Sequence, residues 1–457
     1  MKLSRPTTRA AVLAALAALA AVPAAQAGPP GKWTQVTGVG EPDPNILDAG
    51  LARTGDGVLH VLWSRESTTA AVLLHSTISA NAKTVGGPDT VFTNTNGGIN
   101  ESAALVRTPD GLRAFFGATN QFTDSLGTAT AGPDGKTWSP AATASFSGTG
   151  GKPVYVAAGI AAALAPNGTF VSAWGSSAPG GEGFHAGLSP TDPDGSLGGG
   201  TVIDPGVGVD SQSSAAFVAG NLLDEDGTMV LPVSPAGARV TIPNSGAEQL
   251  QHPVGITGRI GKPGVFVAYT QGTNEFLGKP AIYRVDTGKS IRLSNRKGGE
   301  DVCVAAAPGG RLWAFWKDGD TIFATRSNTS ATKFGRVVSL RALKKGTTIY
   351  ELNGEGSLGP LDVLALLDPP SADIANWHQR ILPGLSLSAK KGKNGKVTFV
   401  VSDAGTALGG AKVKLKGDGS KTTGGKGTAK FTLSPGHYTV TASKSGYAAD
   451  SLKLRIK

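Results

Sequence analysis

Thr108-Pro-Asp-Gly111 runs straight into Leu112-Arg-Ala-Phe-Phe-Gly117, a polar turn launching a short apolar strand. The same device recurs as Thr54-Gly-Asp-Gly57 before VLHVLW, Ala165-Pro-Asn-Gly168 before TFVSAW and Asp224-Glu-Asp-Gly227 before TMVLPV. It returns as Gly261-Lys-Pro-Gly264 before VFVAYT and Ala307-Pro-Gly-Gly310 before RLWAFW. The closing glycines lie 54, 57, 59, 37 and 46 residues apart. That period fits a four-stranded unit better than a single hairpin, and repeats of this length read as a propeller or a solenoid.

Around each anchor the order is similar. A first strand of small residues (AALV, GIAAAL, AAFVAG, VCVAAA) precedes the turn, and a bulkier second strand ending near an aromatic follows it. Third strands are expected at Val72–Thr77, Leu126–Ala131, Phe184–Leu188, Arg239–Pro243, Ala281–Val285 and Thr321–Arg326. Small residues suit strands crowded around a central axis, where bulky side chains do not fit. The expected fold is therefore all-β, a six-bladed β-propeller, with two unrelated sandwiches as the alternative. Trp33–Val36 or Leu361–Leu367 would supply the strand that closes the ring and removes free edges. The stretch from Val337 to Leu367 has room for part of a seventh blade.

The chain opens with Lys2, Arg5 and Arg9, then an apolar run from Ala10 to Val22, then Ala25-Gln26-Ala27. Thirteen apolar residues are too few to span a bilayer, so residues 1–27 read as a cleaved signal peptide. No later stretch reaches the roughly eighteen apolar residues a spanning helix needs, and a secreted or envelope-associated location is expected. Cys303 is the sole cysteine; within the apolar run VCVAAA it reads as an inert thiol. The net charge of +10 is concentrated in the tail. From Ser386 to Lys457, thirteen Lys and one Arg face only Asp403, Asp418 and Asp450, whereas residues 28–385 carry a net −4. The proline-flanked stretch DPPSADIANWHQRILP, from Asp368 to Pro383, marks a boundary between a domain at 28–383 and another at 384–457.

Ala131-Gly-Pro-Asp134-Gly135-Lys-Thr137-Trp138 resembles the aspartate box, or BNR repeat, of sialidase-like propellers, Ser-x-Asp-x-Gly-x-Thr-Trp. Gly135, Thr137 and Trp138 match in register; Ala131 and Pro133 stand at the Ser and Asp positions. Ser327 and Phe334 keep the outer positions of such a box in the sixth repeat. The resemblance implies a turn between third and fourth strands, with Trp138 as a packing residue. Sialidase activity in that family needs three arginines, a Tyr–Glu nucleophile pair and an aspartic acid/base. Its Phe/Tyr-Arg-Ile-Pro motif is absent here, and Arg65 and Tyr350-Glu351 match by position only, so the catalytic set does not transfer.

The tail run Val400 to Val413, followed by Thr422–Gly427, Phe431–Leu433, Pro435–Ala442 and Gly446-Tyr447, resembles carboxypeptidase-regulatory-like and bacterial Ig-like domains. A small prealbumin-like β-sandwich of accessory character is implied, with strands at Lys396–Ser402, Ala411–Lys416, Gly427–Leu433, His437–Ser443 and Ser451–Ile456.

Loops leading into the inner strands of a propeller converge over its axis, where ligands commonly bind. Asn45, Asp48, Asn100, Glu101, Gln212, His252, Glu300 and Asp301 are assigned there. A ring of carboxylates and amides suits a sugar, a cation or acid/base chemistry; the alternative is solvated turn residues. Two readings stand side by side. One is a non-catalytic, monomeric propeller binding an extracellular glycan, a protein ligand or an anionic envelope polymer. The other is a divergent glycoside hydrolase using Glu101 and Glu300. Scattered histidines give no metal site, no cofactor motif is present, and nucleic acid is disfavoured by export and the lack of interleaved aromatics.

Overall fold

The computed structural model describes residues 32–38, 40, 49–66, 70–95, 99–119, 124–145, 155–178, 181–187, 202–222, 227–246, 254–272, 278–295, 298–370 and 373–457. The expected leader, 1–27, lies outside them. Seven antiparallel sheets follow one another between Thr34 and Ile381. Their inner strands are Gly50–Arg53, Ile99–Thr108, Tyr155–Leu164, Val202–Val209, Ile256–Arg259, Glu300–Ala307 and Thr348–Glu355. Each inner strand touches the next, and the seventh touches the first, so the sheets close a ring. The molecule is a β-propeller with seven blades among the described residues.

This is one blade more than the six anchors suggest, and two local causes explain it. The Asp224–Gly227 anchor precedes the third strand of its blade, Gly227–Ser234, rather than the second. The true first turn of that blade is Asp210–Ala215, where Ser214 takes the left-handed conformation (φ +57°) that glycine takes elsewhere. AAFVAG is accordingly a second strand, Ala216–Leu222, and Arg239–Pro243 contains the fourth, Val240–Thr241. The seventh blade arises from Thr348–Glu355, Leu361–Asp368 and Ala375–Ile381, with Thr34–Gln35 pairing onto the last of these. The first described strand thus closes the final blade and leaves that edge covered.

The second strands are buried along most of their length rather than alternately. Val265 to Tyr269, Leu312 to Trp316 and Leu361 to Leu367 are continuous buried runs, because each blade is covered on both faces by its neighbours. Near the axis the backbones approach closely. A Cβ at Gly206 would lie 1.9 Å from the Val254 carbonyl oxygen, and one at Gly258 would lie 1.9 Å from that of Val209. Only glycine fits either place.

Ser386–Lys391, Lys396–Asp403, Thr406–Ala407 and Thr428–Thr432 form one sheet of the tail. Ser420–Thr422, Lys412–Leu415, Gly436–Ser443 and Asp450–Ile456 form the other. Both contribute to one core containing Phe399, Val413, Phe431 and Val440. The tail meets the sixth blade through Asp403, which lies 2.5 Å from Arg326 and 3.5 Å from Arg311, and through Asp450, 3.0 Å from Arg336.

Candidate functional site

Each inner strand runs from an entry face to a turn face, where the anchor turns lie. Five of the seven inner strands slip register close to the entry face. The slips fall between Ile99 and Ala103, Val156 and Ile160, Ile203 and Gly206, Glu300 and Cys303, and Ile349 and Glu351. Bulges of this kind re-aim side chains and concentrate near binding sites. Asn100 and Glu101 occupy the slip of the second blade, and Asp301 occupies that of the sixth beside Glu300. The two pairs thus lie at or beside the register slips of two different blades.

Asn45, Asp48 and His252 lie outside the described residues. Gln212 does not join the group. It belongs to the Asp210–Ala215 turn on the opposite, turn face, where Asp210 Oδ1 accepts the Gln212 and Ser213 amides at 2.8 and 2.9 Å. The misassignment follows from the displaced anchor of the fourth blade. Asp204 also falls within the register slip of that blade.

Asp301 holds a left-handed backbone (φ +46°). Its Oδ2 is 2.5 Å from Lys317 Nζ, which also donates to the carbonyls of Ile349 at 2.9 Å and Tyr350 at 3.1 Å. One lysine thus ties the bulge of the sixth blade to that of the seventh. The Cys303 thiol lies 3.1 Å from the Leu352 carbonyl across the same seam and 3.3 Å from that of Asp301 in its own strand. Tyr350 is exposed at its bulge, whereas the buried Glu351 accepts the Ala49 amide at 2.9 Å. That carboxylate helps hold the first blade to the seventh.

A cavity of about 320 Å³ opens beside these bulges. Trp316 and Phe323 stack at 5.8 Å with 16° between their planes and form its apolar wall. Asp318, Ser294 and Ser339 supply its polar lining, and Gly298 brings the incoming loop against Asp318. Asp318 follows Lys317, the register partner of Glu300. The cavity was not legible from the sequence because its walls come from four separate segments.

Two buried polar clusters lie toward the turn face. Asp362 accepts both Arg380 Nε (2.7 Å) and Nη2 (2.9 Å), pairs with His378 Nε2 at 2.9 Å and meets Arg53, which also contacts Glu355. Burial alone would raise the Asp362 pKa, but hydrogen bonds from His378 and Arg380 and the Arg53 charge hold it well below the ordinary carboxylate value. In the first blade His60 Nδ1 lies 2.9 Å from His75 Nε2, and His60 Nε2 lies 3.0 Å from Thr54 Oγ1. Burial, reinforced by repulsion from His75, lowers the His60 pKa to about 4. Gly135 of the neighbouring blade packs against this pair with φ +66°, and a Cβ there would come within 2.5 Å of His75. Trp138 meets His75 edge-on at 5.5 Å. These clusters join blades. Among the described residues no three of His, Cys, Asp and Glu gather as a metal set.

No protein-family model matches the chain, and no curated protein sequence does. Among solved structures it is similar to a chain of a mitotic checkpoint complex, at 13% identity and a TM-score of 0.46, covering 82% of this chain and 97% of that one. It is similar also to Trypanosoma rangeli sialidase in complex with the inhibitor DANA (9%, TM-score 0.42, covering 89% and 84%). Penicillium chrysogenum α-L-arabinanase complexed with arabinobiose is a third (11%, TM-score 0.39, covering 76% and 98%). The class of protein is set by the closed ring of sheets itself, and no chemistry is carried over from these three. No helix among the described residues is long and apolar enough to cross a membrane.

Proposed function

We propose that the chain is an exported propeller that binds a carbohydrate on its entry face without turning it over. The observation carrying this reading is the cavity formed by Trp316, Phe323, Asp318, Ser294 and Ser339. An aromatic wall takes the C–H face of a sugar, while a carboxylate and hydroxyls take its hydroxyl groups. Its volume of about 320 Å³ suits one or two sugar units. The bulged strand entrance of the same blade, with Glu300 and Asp301, would extend contact toward the axis. Asp301 is neutralised by Lys317, which favours a fixed binding surface over a reactive carboxylate pair. Export rests on the basic start, the apolar run and Ala25-Gln26-Ala27. The aspartate-box and Ig-like assignments of the sequence remain part of this proposal, with the tail as an accessory module.

A glycan array probed with the chain from Gly28 onward, beside a chromogenic glycoside panel that includes a sialoside, tests the reading. Selective binding without turnover is the expected result. Turnover would transfer the site to the hydrolase class, and silence on the array would remove the carbohydrate assignment.

A further inference from the structure

The tail carries a second surface that the entry-face proposal does not use. In the sheet formed by Ser420–Thr422, Lys412–Leu415, Gly436–Ser443 and Asp450–Ile456, alternate residues point away from the core. Register sets them in rows. Thr422, Lys412 and Ser443 form one; Ser420, Lys414, Thr441 and Ser451 form the next. Thr439 pairs with Lys453, and His437 with Arg455. Lys416 continues the Lys412–Leu415 strand, its amide donating to the Thr439 carbonyl at 3.0 Å.

This face therefore presents five cations, a histidine and a field of hydroxyls, with no carboxylate and no Phe, Tyr or Trp in its rows. The tail's acids lie elsewhere. Asp403 and Asp450 are spent on Arg326, Arg311 and Arg336 of the sixth blade, and Asp418 stands at the tip of the hairpin between Leu415 and Ser420. A shallow cavity of about 200 Å³ at the edge of this face is lined by His437, Tyr438, Thr439, Lys453, Leu454 and Arg455, with the Tyr438 hydroxyl held by the Ser434 carbonyl at 2.9 Å.

We infer that this face docks a linear, base-free phosphodiester polymer. Along each strand the outward positions repeat at about 6.8 Å and the strands lie about 4.8 Å apart, so the cations form a regular lattice that meets a polymer charged at every unit. Four of the five cations are lysines, which meet phosphate as point charges, and Arg455 offers a fork that fits phosphate bidentately. The interspersed hydroxyls donate to the remaining phosphate oxygens. Absence of aromatic side chains from the rows removes the platform on which nucleic-acid bases stack, and absence of apolar ones removes what would insert into a lipid surface.

The test is a salt titration of the full chain binding to poly(glycerol phosphate), beside polygalacturonate, single-stranded DNA and phosphatidylglycerol vesicles. Poly(glycerol phosphate) is expected to bind most tightly, with affinity falling steeply as salt rises. The variant Lys412→Gln, Lys414→Gln, Lys453→Gln, Arg455→Gln should lose about tenfold or more and flatten the salt dependence. A control with the same charge loss at Lys390, Lys393, Lys426 and Lys430 should stay within about threefold of the parent. All eight positions are exposed, so folding is not at stake. Equal loss in both variants, or tighter binding to any of the other three probes, would overturn the assignment. The two proposals rest on different residues, so either can fail alone.

Discussion

His60 and Asp362 show how individual residues set the conditions under which the ring holds. The His60 pKa stands at about 4, below its unfolded value of about 6.5. Between those values the unfolded chain binds the proton that the folded chain refuses. The stabilising contribution is thus complete above about pH 6.5 and drains away as pH falls toward 4, by an amount of order 3 kcal/mol. The groups facing the pair are Asp56, Asp134 and Arg53 around His60, and Asp89 and Asp134 around His75. Thermal unfolding from pH 7 to 4 should show a falling midpoint, and His60→Gln should flatten that slope; an unchanged slope would remove the histidine pair as its cause. Asp362 is depressed, so its stabilisation is present above the unfolded carboxylate value of about 3.9 and is lost at still lower pH. Asp362→Asn strands Arg380, Arg53 and His378 in the buried seam and should cost about 3–5 kcal/mol in urea unfolding. A cost under about 1 kcal/mol would mean that the network does not lock the seventh blade to the first.

At the scale of the strand and turn, much was legible. The small inner strands, bulky second strands and most third strands follow from composition and periodicity, and Val72–Thr77 and Thr321–Arg326 fall within the observed strands. The turns at Ala131–Trp138 and Ser327–Phe334 both close with a bridge between first and last residues. Both also place a left-handed residue fifth, Gly135 in one and Ala331 in the other. A buried alanine in that conformation gives no sequence signal, as with Ser214 in the fourth blade. The anchor turn was hidden there for the same reason, and Gly356-Ser-Leu-Gly359 lacks the Pro or Asp that the other anchors carry at their second or third position. The entry-face cavity was illegible because distance in sequence hides what the ring brings together, whereas the bulge candidates were partly visible as polar residues heading inner strands. Two variants test the elements. Gly258→Val would drive a side chain into the Val209 carbonyl and should destabilise by about 3 kcal/mol or more; tolerance would mean the inner strands are not close-packed. Ser327 Oγ accepts the Leu312 amide at 2.8 Å, so Ser327→Ala should cost about 1–3 kcal/mol through a buried unpaired donor.

Taken whole, the molecule separates its surfaces. The cavity and the bulged entrances share the entry face, while the tail binds the sixth blade at Arg311, Arg326 and Arg336, toward the turn face. On the proposed reading, ligand contact at the entry face and tethering through the tail use separate surfaces. The central claim is that the entry-face cavity is the carbohydrate site. The most direct measurement is a calorimetric titration of the tightest array ligand into the parent chain and into Phe323→Ala and Asp318→Asn. Each substitution is expected to weaken binding by about tenfold or more; Asp318→Asn should leave the unfolding midpoint nearly unchanged, whereas Phe323→Ala, which removes a ring packed on Trp316, should also lower it. Parent-like affinity in both variants would place the carbohydrate elsewhere and contradict the account.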